Sequence, residues 1–288
     1  MFSYSYMGRT AKLAGIYVSV VLTVAVATQG SAEEDRAKGF SYTSYGEVLA
    51  TYVNDKGMVN YKGLKAGRHK LDEFTRALAK LNRKDYEKWA DKAKIAFWIN
   101  AYNGLTLQAI INNYPIKSSF FRSLRFPENS IRQIPGVWDA LKFTVMNQPI
   151  TLDGIEHNTL RAKLDEPRIH MALVCAAMGC PPLRNEAYTA EKLDAQLNDQ
   201  TTRFLGNPKK FRIDRKNRTV YLSPIFKWFG NDFVTKYGTD KKFSGYSDSE
   251  RAVLNFISRY MEPDDKAYLE KGGYSIEYLD YDWSLNEQ

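Results

Sequence analysis

Two cysteines and one histidine lie close together in the sequence and are the clearest candidates for chemistry. His170, Cys175 and Cys180 occur in RIHMALVCAAMGCPP, an apolar run that leads into a loop containing Gly179. A thiol is mostly protonated at neutral pH, so a nucleophilic cysteine needs a base or a positive neighbour, and His170 is the nearest candidate in sequence. We predict a strand over Ile169–Cys175, on which His170 and Cys175 point to opposite faces.

Cys180 lies beyond that predicted strand, so it is slightly favoured over Cys175 as the nucleophile. The preference disappears if the strand ends before Cys175. In a reaction at the nucleophilic cysteine, the backbone N–H groups of the Gly179 loop would stabilise the oxyanion. Two alternatives stay open: a disulfide between two cysteines five residues apart in an exported protein, and a histidine that only packs in the core. Two cysteines and one histidine fall short of a zinc site, so no metal and no cofactor are predicted.

A carboxylate and a second histidine lie in LDGIEHNTLR. Asp153 is a plausible N-cap with Glu156 at N3, as in a capping box, and this structural role is favoured. Glu156 could instead orient an imidazole, as the carboxylate of a triad does. Neighbours on a helix do not face each other, so its partner would not be His157. We predict His170.

Two asparagines lie in the apolar helical stretch FWINAYNGLTL. A buried amide costs free energy unless it finds hydrogen-bond partners. Asn100 and Asn103 therefore either tie together the backbone of the core or face a pocket as hydrogen-bond donors. The sequence favours neither alternative.

The N-terminus has the pattern of a secretory signal peptide. Arg9 and Lys12 precede the apolar run 13–27, and small residues end at Ala32. The run is shorter than the roughly 20 residues of a membrane-spanning helix. We predict residues 1–32 as a signal peptide cleaved near Ala32, which makes the protein periplasmic or secreted; an uncleaved membrane anchor is the alternative. Residues 33–92 are predicted as a helical lead-in and 93–288 as the core domain with a C-terminal tail.

The composition indicates a globular protein and argues against a nucleic-acid partner. The net charge is +8 over 288 residues, and 44% of the residues are hydrophobic. The densest basic stretch, 209–218, is predicted to be a β-hairpin with a solvated tip. The aromatic stripe of the tail is predicted to pack back onto the domain.

Hydrophobic periodicity predicts helices separated by short strands, and hence an α+β fold: a single domain with helices packed on a small, mainly antiparallel sheet. The predicted helices are Ser44–Asn54, Leu71–Leu81, Asp85–Asn113 with a break near Asn100, Gly154–Leu164, Thr189–Leu205 and Ser247–Tyr260. The other predicted strands are Leu141–Val145, Gln148–Leu152, Phe211–Asp214 and Thr219–Leu222.

Five blocks of the chain, in order, resemble the Domain of Unknown Function 547 family: FWINAYNGLTL, LDGIEHNTLR, RIHMALVCAAMGCPPL, SPIFKWFGNDF and YDWSLN. They extend over about residues 93–286. The resemblance implies a site region but no activity. The matching positions are Trp98, Asn100, Asn103, Glu156, His157, Arg161, Arg168, His170, Cys175, Cys180 and Pro181.

A more distant similarity is to the papain-like and transglutaminase-like superfamily, in which a cysteine opens a helix and a histidine comes from a later strand. The helix predicted around residues 98–103 has no cysteine, and here the thiols lie beside the histidine instead. A protease is therefore not predicted.

Two classes of function remain. The first is a thiol-dependent hydrolase or acyltransferase acting on an amide or thioester, with Cys180 or Cys175 as nucleophile, His170 as base and Asn100 or Glu156 as the orienting group. Its substrate would contact Trp98, Asn103, His157, Arg161 and Arg168. The second is a non-catalytic periplasmic protein that binds a small molecule or peptide and has a structural or redox-active disulfide between Cys175 and Cys180.

Overall fold

The structure is a computed structural model that describes residues 40–288. The predicted signal peptide, residues 1–32, lies outside the described residues. Within 40–288, none of the helices has the length and apolar character needed to span a membrane. Residues 42–288 form one compact unit with the predicted α+β architecture.

The first half of this unit is helical. Its helices are α1 (Thr43–Tyr52), α2 (Tyr61–Ala66), α3 (His69–Lys80), α4 (Arg83–Glu87), α5 (Asp91–Asn113) and α6 (Phe120–Ser123), followed by a 3-10 turn at Ile131–Gln133. Helices α2 and α3, which lie within the predicted lead-in, pack directly on α5, although only α3 of the two was predicted as a helix. The 33–92 and 93–288 boundary stays a prediction.

Helix α5 forms the centre of this half. It is buried without interruption from Ile95 to Leu107, on every face, which fits a sequence that is apolar all round rather than along one stripe. The predicted break near Asn100 is wrong, because the amides of Asn100 and Asn103 bond to other segments of the chain. They therefore do not compete with the hydrogen bonds of their own helix.

Two small sheets complete the fold. Strands β1 (Phe143–Val145) and β2 (Gln148–Ile150) form an antiparallel hairpin. Strands β3 (Phe211–Asp214) and β4 (Thr219–Leu222) form the predicted basic hairpin. A fifth strand, β5 (Ser275–Tyr278), pairs parallel to β4. Sequence periodicity did not identify β5, because only its pairing with β4 makes this short tail segment a strand.

The second half packs around a cluster of aromatic residues. Its helical segments are α7 (Leu152–Ile155), a π-helical turn (Glu156–Arg161), a 3-10 turn (Pro167–Met171), α8 (Leu193–Leu205), α9 (Pro224–Phe229), a 3-10 turn (Gly230–Phe233), α10 (Val234–Tyr237), α11 (Asp248–Ser258) and α12 (Pro263–Lys271). The rings of Phe226, Phe233 and Phe256 meet in this core. Met171, the neighbour of His170, belongs to the same cluster.

The predicted strand at Ile169–Cys175 is wrong. Residues Pro167–Met171 form a 3-10 turn instead, with Pro167 at its start and the Glu166 side chain accepting a hydrogen bond from the Arg168 N–H. Proline has its φ angle preset for the first turn of a helix. The apolar run is therefore buried by tertiary packing, not by strand pairing, and the expected alternation of His170 and Cys175 does not apply.

The predicted capping box at Asp153 is also wrong. The N-cap of α7 is Thr151, whose hydroxyl accepts a hydrogen bond from the Gly154 N–H at 3.0 Å. The helix therefore starts at Leu152, two residues before the predicted start, and widens into the π-helical turn at Glu156. Because Glu156 does not cap this helix, its carboxyl group is free for another role.

Candidate functional site

A cavity of about 260 Å³ brings both thiols together with His170 and Glu156. Its other lining side chains are mostly aromatic. The full lining is Tyr102, Arg132, Trp138, Asp153, Glu156, His157, His170, Leu173, Cys175, Cys180, Pro181, Ile225, Trp228, Phe229, Tyr281 and Trp283. Apolar walls with a few convergent polar groups are typical of a small-molecule site.

The loop between the thiols is held by the C-terminal tail. Met178 N–H donates to the Ser284 carbonyl at 2.7 Å, and Gly179 N–H donates to the Asp282 carbonyl at 2.7 Å. Cys180 N–H donates to the Ala177 carbonyl at 3.0 Å. These three donors are bonded within the protein, so they do not support the predicted oxyanion hole of the Gly179 loop.

Gly179 is required for this arrangement. A Cβ atom at this position would lie 2.6 Å from the ring of Tyr281. The close approach of the ring to the loop backbone places the Tyr281 hydroxyl beside both thiols, at 3.1 Å from Cys180 Sγ and 3.3 Å from Cys175 Sγ. The glycine therefore lets the tail reach the thiols.

Both cysteines are free thiols in the structure, which lacks the disulfide that the sequence left open as an alternative. The backbone N–H of Cys175 donates to Sγ of Cys180 at 3.0 Å, and the Tyr281 hydroxyl lies within hydrogen-bond distance of the same sulfur. Two polar groups around one buried sulfur favour its thiolate form.

The two thiols differ in pKa. Burial by itself raises the pKa of Cys180, but hydrogen bonds to Cys175 and Tyr281, and the nearby Lys210 ammonium, outweigh burial and lower it to about 7. The hydrogen bond to Cys180, together with burial, raises the pKa of Cys175 well above its usual value. Cys180 is therefore the better nucleophile at neutral pH.

His170 pairs with a carboxylate that the sequence analysis did not name. Its Nε2 lies 2.7 Å from Oδ2 of Asp232, and its ring stacks on Phe229 with the centroids 4.2 Å apart. Arg161 holds the same carboxylate through Nε and Nη2. Since Nε2 faces Asp232, Nδ1 is the nitrogen that can exchange a proton with a reacting group.

The electrostatics keep His170 neutral and Asp232 ionised at neutral pH. Burial lowers the pKa of His170 and outweighs the opposing effect of Asp232. Burial also acts to raise the pKa of Asp232, but His170 and Arg161 hold it well below its usual range. A neutral imidazole oriented by a carboxylate has the properties of a general base.

Glu156 has a different partner from the one predicted. Its carboxyl group hydrogen-bonds to Tyr102, while His170 pairs with Asp232. Burial raises the pKa of Glu156 to about 7, against which the Tyr102 hydrogen bond acts only in part. Glu156 can therefore exchange a proton near neutral pH.

We expect the Glu156→Gln variant to be more stable than the wild type at pH 8. Burial raises the folded-state pKa of Glu156 from 4.5 to about 7. Its contribution to stability is therefore fully present below pH 4.5 and is lost as the pH rises through 7. Gln stays neutral, so the gain at pH 8 is about 2–3 kcal/mol.

Urea unfolding at pH 4 and pH 8 measures this gain, which should disappear at pH 4. Exposed Glu128 provides the matched control, because Glu128→Gln makes the same chemical change outside the core. A Glu156→Gln variant with equal stability differences at both pH values would show that the pKa of Glu156 is not raised in the folded protein.

The two asparagines of α5 hold backbone segments. Asn100 donates to the Tyr188 carbonyl at 2.8 Å and accepts from the Tyr188 N–H at 3.0 Å. Asn103 makes the same pair of contacts with the Ala172 carbonyl and the Val174 N–H. Both amides thus tie the core together, and Asn103 fixes the segment that leads into Cys175.

The remaining predicted contact residues divide into two groups. His157 lines the cavity, with Arg161 Nη1 2.8 Å from its Nδ1. Trp98 bonds to the Tyr86 hydroxyl. Arg168 is engaged with Glu166 and Asp194, and neither Trp98 nor Arg168 lines this cavity. The geometry gives these two residues structural roles.

Sequence reasoning missed three residues of the site: Asp232, Tyr281 and Lys210. Asp232 lies in SPIFKWFGNDF and Tyr281 begins YDWSLN, two of the blocks that resemble the family, and Tyr281 also belongs to the aromatic stripe of the tail. Lys210 lies at the start of the basic stretch predicted to be a β-hairpin with a solvated tip, and its side chain is buried. Nothing in the sequence pattern distinguishes it from its neighbour Lys209.

Comparison with known proteins gives one family. The searches of curated proteins and of solved structures returned no match, so the papain-like similarity stays a prediction. The family match extends over residues 86–205 and includes the first three of the five blocks. Asp232 and Tyr281 lie outside it. Residues 86–205 match the model of the family described as Protein of unknown function, DUF547.

Proposed function

We propose that the protein is a thiol-dependent acyl hydrolase or acyltransferase that acts on an amide or thioester. Cys180 is the nucleophile, and His170, oriented by Asp232, is the general base and acid. The observation that carries this proposal is the shared cavity: a thiol with a pKa near 7 lines the same aromatic pocket as the imidazole of His170, which pairs with the Asp232 carboxylate outside the lining.

In the acylation step, the Cys180 proton passes to Nδ1 of His170 and Sγ attacks the acyl carbon. The S–C bond forms, the bond to the leaving amine or thiol breaks, and the leaving group takes the proton from His170. In the second step, His170 accepts a proton from water or an acceptor, whose oxygen or nitrogen displaces Sγ. Sγ then regains a proton, which restores the resting state.

Tyr281 is suited to stabilise the developing negative charge. Its hydroxyl lies 3.1 Å from Cys180 Sγ and therefore near the carbonyl oxygen of an acyl group bonded to that sulfur. It takes the place of the Gly179 loop, whose N–H groups are already bonded. The remaining aromatic rings exclude water from the acyl group.

The proposal includes export of the mature protein to the periplasm or the exterior. The substrate is a small molecule or peptide, because the cavity of about 260 Å³ suits one acyl group and its attachment. The non-catalytic binding protein is the alternative outcome of the test that follows.

Trapping the acyl-enzyme tests the proposed function. The reduced protein is incubated with a small acetyl thioester, quenched in acid and measured by intact mass and peptide mapping. We expect one acetyl group on Cys180, none after Cys180→Ala, and retention of acetylation after Cys175→Ala. Acetylation of lysines alone, or a wild type and Cys180→Ala variant acetylated equally, would instead support the binding protein.

A further inference from the structure

Cys180 lies between two cavities. The first is the aromatic cavity described above. The second, of about 290 Å³, is lined by Cys180, Pro181 and a set of polar and basic side chains that include Lys210. Cys180 and Pro181 contribute to both linings. A substrate that reacts with this sulfur can therefore extend to either side of it.

Lys210 is a buried cation on the second side. Lys210 is only 6% exposed, and its Nζ donates a hydrogen bond to the Met178 carbonyl. Among residues 40–288, no carboxylate forms a salt bridge with it. An ammonium group has three donors, so most of its hydrogen-bonding capacity is free for a ligand. The cysteine sulfurs and Asp282 favour its charged form but do not outweigh burial, so a bound anion would recover free energy that burying the cation costs.

The charge of the second cavity also favours an anion. Its lining holds the cations Lys56, Arg203 and Lys210 against one carboxylate, Asp55. Arg203 is paired with Asp199 at 3.1 Å, which leaves a small positive excess. With Lys210 buried and the exposed carboxylate of Asp55 in the same lining, this small excess suits a ligand with one negative charge, such as a carboxylate, better than a phosphate dianion.

We propose that the second cavity binds a carboxylate group of the acyl substrate or of the acyl acceptor, with Lys210 as its counter-ion. This inference rests on the proposed function, since it takes Cys180 as the reacting atom. It narrows the substrate class to molecules that carry a carboxylate within a few bonds of the acyl carbon.

Burial lowers the pKa of Lys210 to about 8, although the nearby cysteine sulfurs and Asp282 act to raise it. The charge of Lys209 also acts to lower that pKa. A bound carboxylate would raise the pKa of Lys210 and hold it in the charged form at neutral pH.

A second cation competes for the same role. Arg132 lines the aromatic cavity, and its guanidinium lies over the rings of Phe126 and Trp283 at 4.4 Å and 4.7 Å from their centroids. It is half-buried, and the rings already provide it with favourable contacts. Lys210 has fewer contacts and acts directly on the Cys180 thiolate. We therefore assign the carboxylate to Lys210.

Alkylation by a charged and a neutral reagent tests this assignment. Iodoacetate carries a carboxylate and iodoacetamide does not, and both react with the same thiolate. The ratio of their rates at Cys180 therefore cancels any change in the thiol pKa. Relative to a cysteine peptide, we expect the wild type to prefer iodoacetate, and the Lys210→Met variant to lose about tenfold in this ratio.

Lys209 provides the matched control. It is the exposed neighbour of Lys210 and does not line the cavity, so Lys209→Met makes the same change in net charge. We expect its ratio to stay within about twofold of the wild type, since exposed charges are screened by salt. Lys210→Arg keeps the cation and should keep most of the preference.

A ratio unchanged in Lys210→Met, or lost in Arg132→Met instead, would overturn the assignment. Failure of the proposed function has a different result, namely that neither reagent modifies Cys180 faster than a free thiol. If Lys210→Met does not fold, a protection experiment on the wild type tests the assignment instead. Acetate should slow the reaction of Cys180 with iodoacetamide, and acetamide should not. Equal alkylation rates in the presence of acetate and of acetamide would refute the carboxylate site.

Discussion

The Cys180→Ser variant is expected to lose rapid alkylation by iodoacetamide at pH 7, whereas Cys175→Ala retains it. With a pKa of about 7 for Cys180, about half of this thiol is ionised at pH 7, against about 3% of an ordinary thiol. Cys175, whose pKa is raised, is ionised far less. In Cys180→Ser the remaining Cys175 loses its contact with the Cys180 sulfur, but burial still acts to raise its pKa. Alkylation of the folded protein should therefore fall by at least about tenfold.

The pH dependence of the reaction provides a second check. The rate at Cys180 should increase from pH 5 to pH 8 and then level off, because the thiolate is the reactive form. Cys175→Ala removes a hydrogen bond that lowers the Cys180 pKa, so the midpoint of its profile should move to higher pH. Intact mass and peptide mapping at timed quenches give both rates.

Two results would contradict this expectation. If neither thiol alkylates until the protein is reduced, the resting state is a Cys175–Cys180 disulfide, and a redox or binding role replaces the nucleophile. If the profile of Cys180 has its midpoint above pH 9, the hydrogen bonds at its sulfur do not stabilise the thiolate.

The second large effect is expected from Asp232→Asn, which should slow deacylation of acetylated Cys180 by about 100-fold or more. General acid–base catalysis is typically worth about 10²–10⁴-fold. Asp232 accepts hydrogen bonds from His170 and Arg161. An asparagine has one acceptor oxygen, so one of the two partners would face its NH₂ group. The imidazole would then lose the orientation that lets Nδ1 accept a proton from water.

The half-life of the acetyl-enzyme, followed by intact mass, measures this effect without a known substrate. Acetylation by a thioester should change much less, because about half of Cys180 is already ionised at pH 7 and a leaving thiolate depends little on a proton from His170. An unchanged half-life in Asp232→Asn would remove the His170–Asp232 pair from the mechanism.

Asp232→Asn should also destabilise the folded protein by about 2 kcal/mol at pH 7, since the carboxylate compensates two partners in a half-buried position. The folded-state pKa of Asp232 is lowered, so its contribution is present above the unfolded pKa of about 4 and is lost as the pH falls further. The matched control is Asp194→Asn, which removes an exposed carboxylate paired with Arg168 and Lys92. It should leave the acetyl-enzyme half-life unchanged.

Local patterns in the sequence were sufficient for much of the secondary structure. The hairpin of β3 and β4 has the predicted bounds, because alternation and a turn of charged residues are local signals. Helix α11 begins at Asp248 behind a Ser247 and Glu250 capping box, within one residue of its predicted start at Ser247. The resemblance to the family is confirmed over residues 86–205, since it depends on motifs and not on their spatial arrangement.

Tertiary structure decided the site. The segment around His170 has the hydrophobicity of a strand, but Pro167 and close packing make it a 3-10 turn. The partner of His170 is Asp232, 62 residues further along the chain, and Tyr281 is more than 100 residues from the thiols it contacts. No local pattern encodes contacts over such separations.

By itself, then, the sequence determined the α+β class, the family over residues 86–205 and the set of cysteines and histidines available for chemistry. The tertiary structure decided which of these residues lie together and which thiol is the more acidic. Cys180 differs from Cys175 because the chain places the Cys175 N–H, the Tyr281 hydroxyl and Lys210 around its sulfur. A thiol pKa depends on burial, hydrogen bonds and nearby charge, and these are properties of the environment that only the folded chain creates.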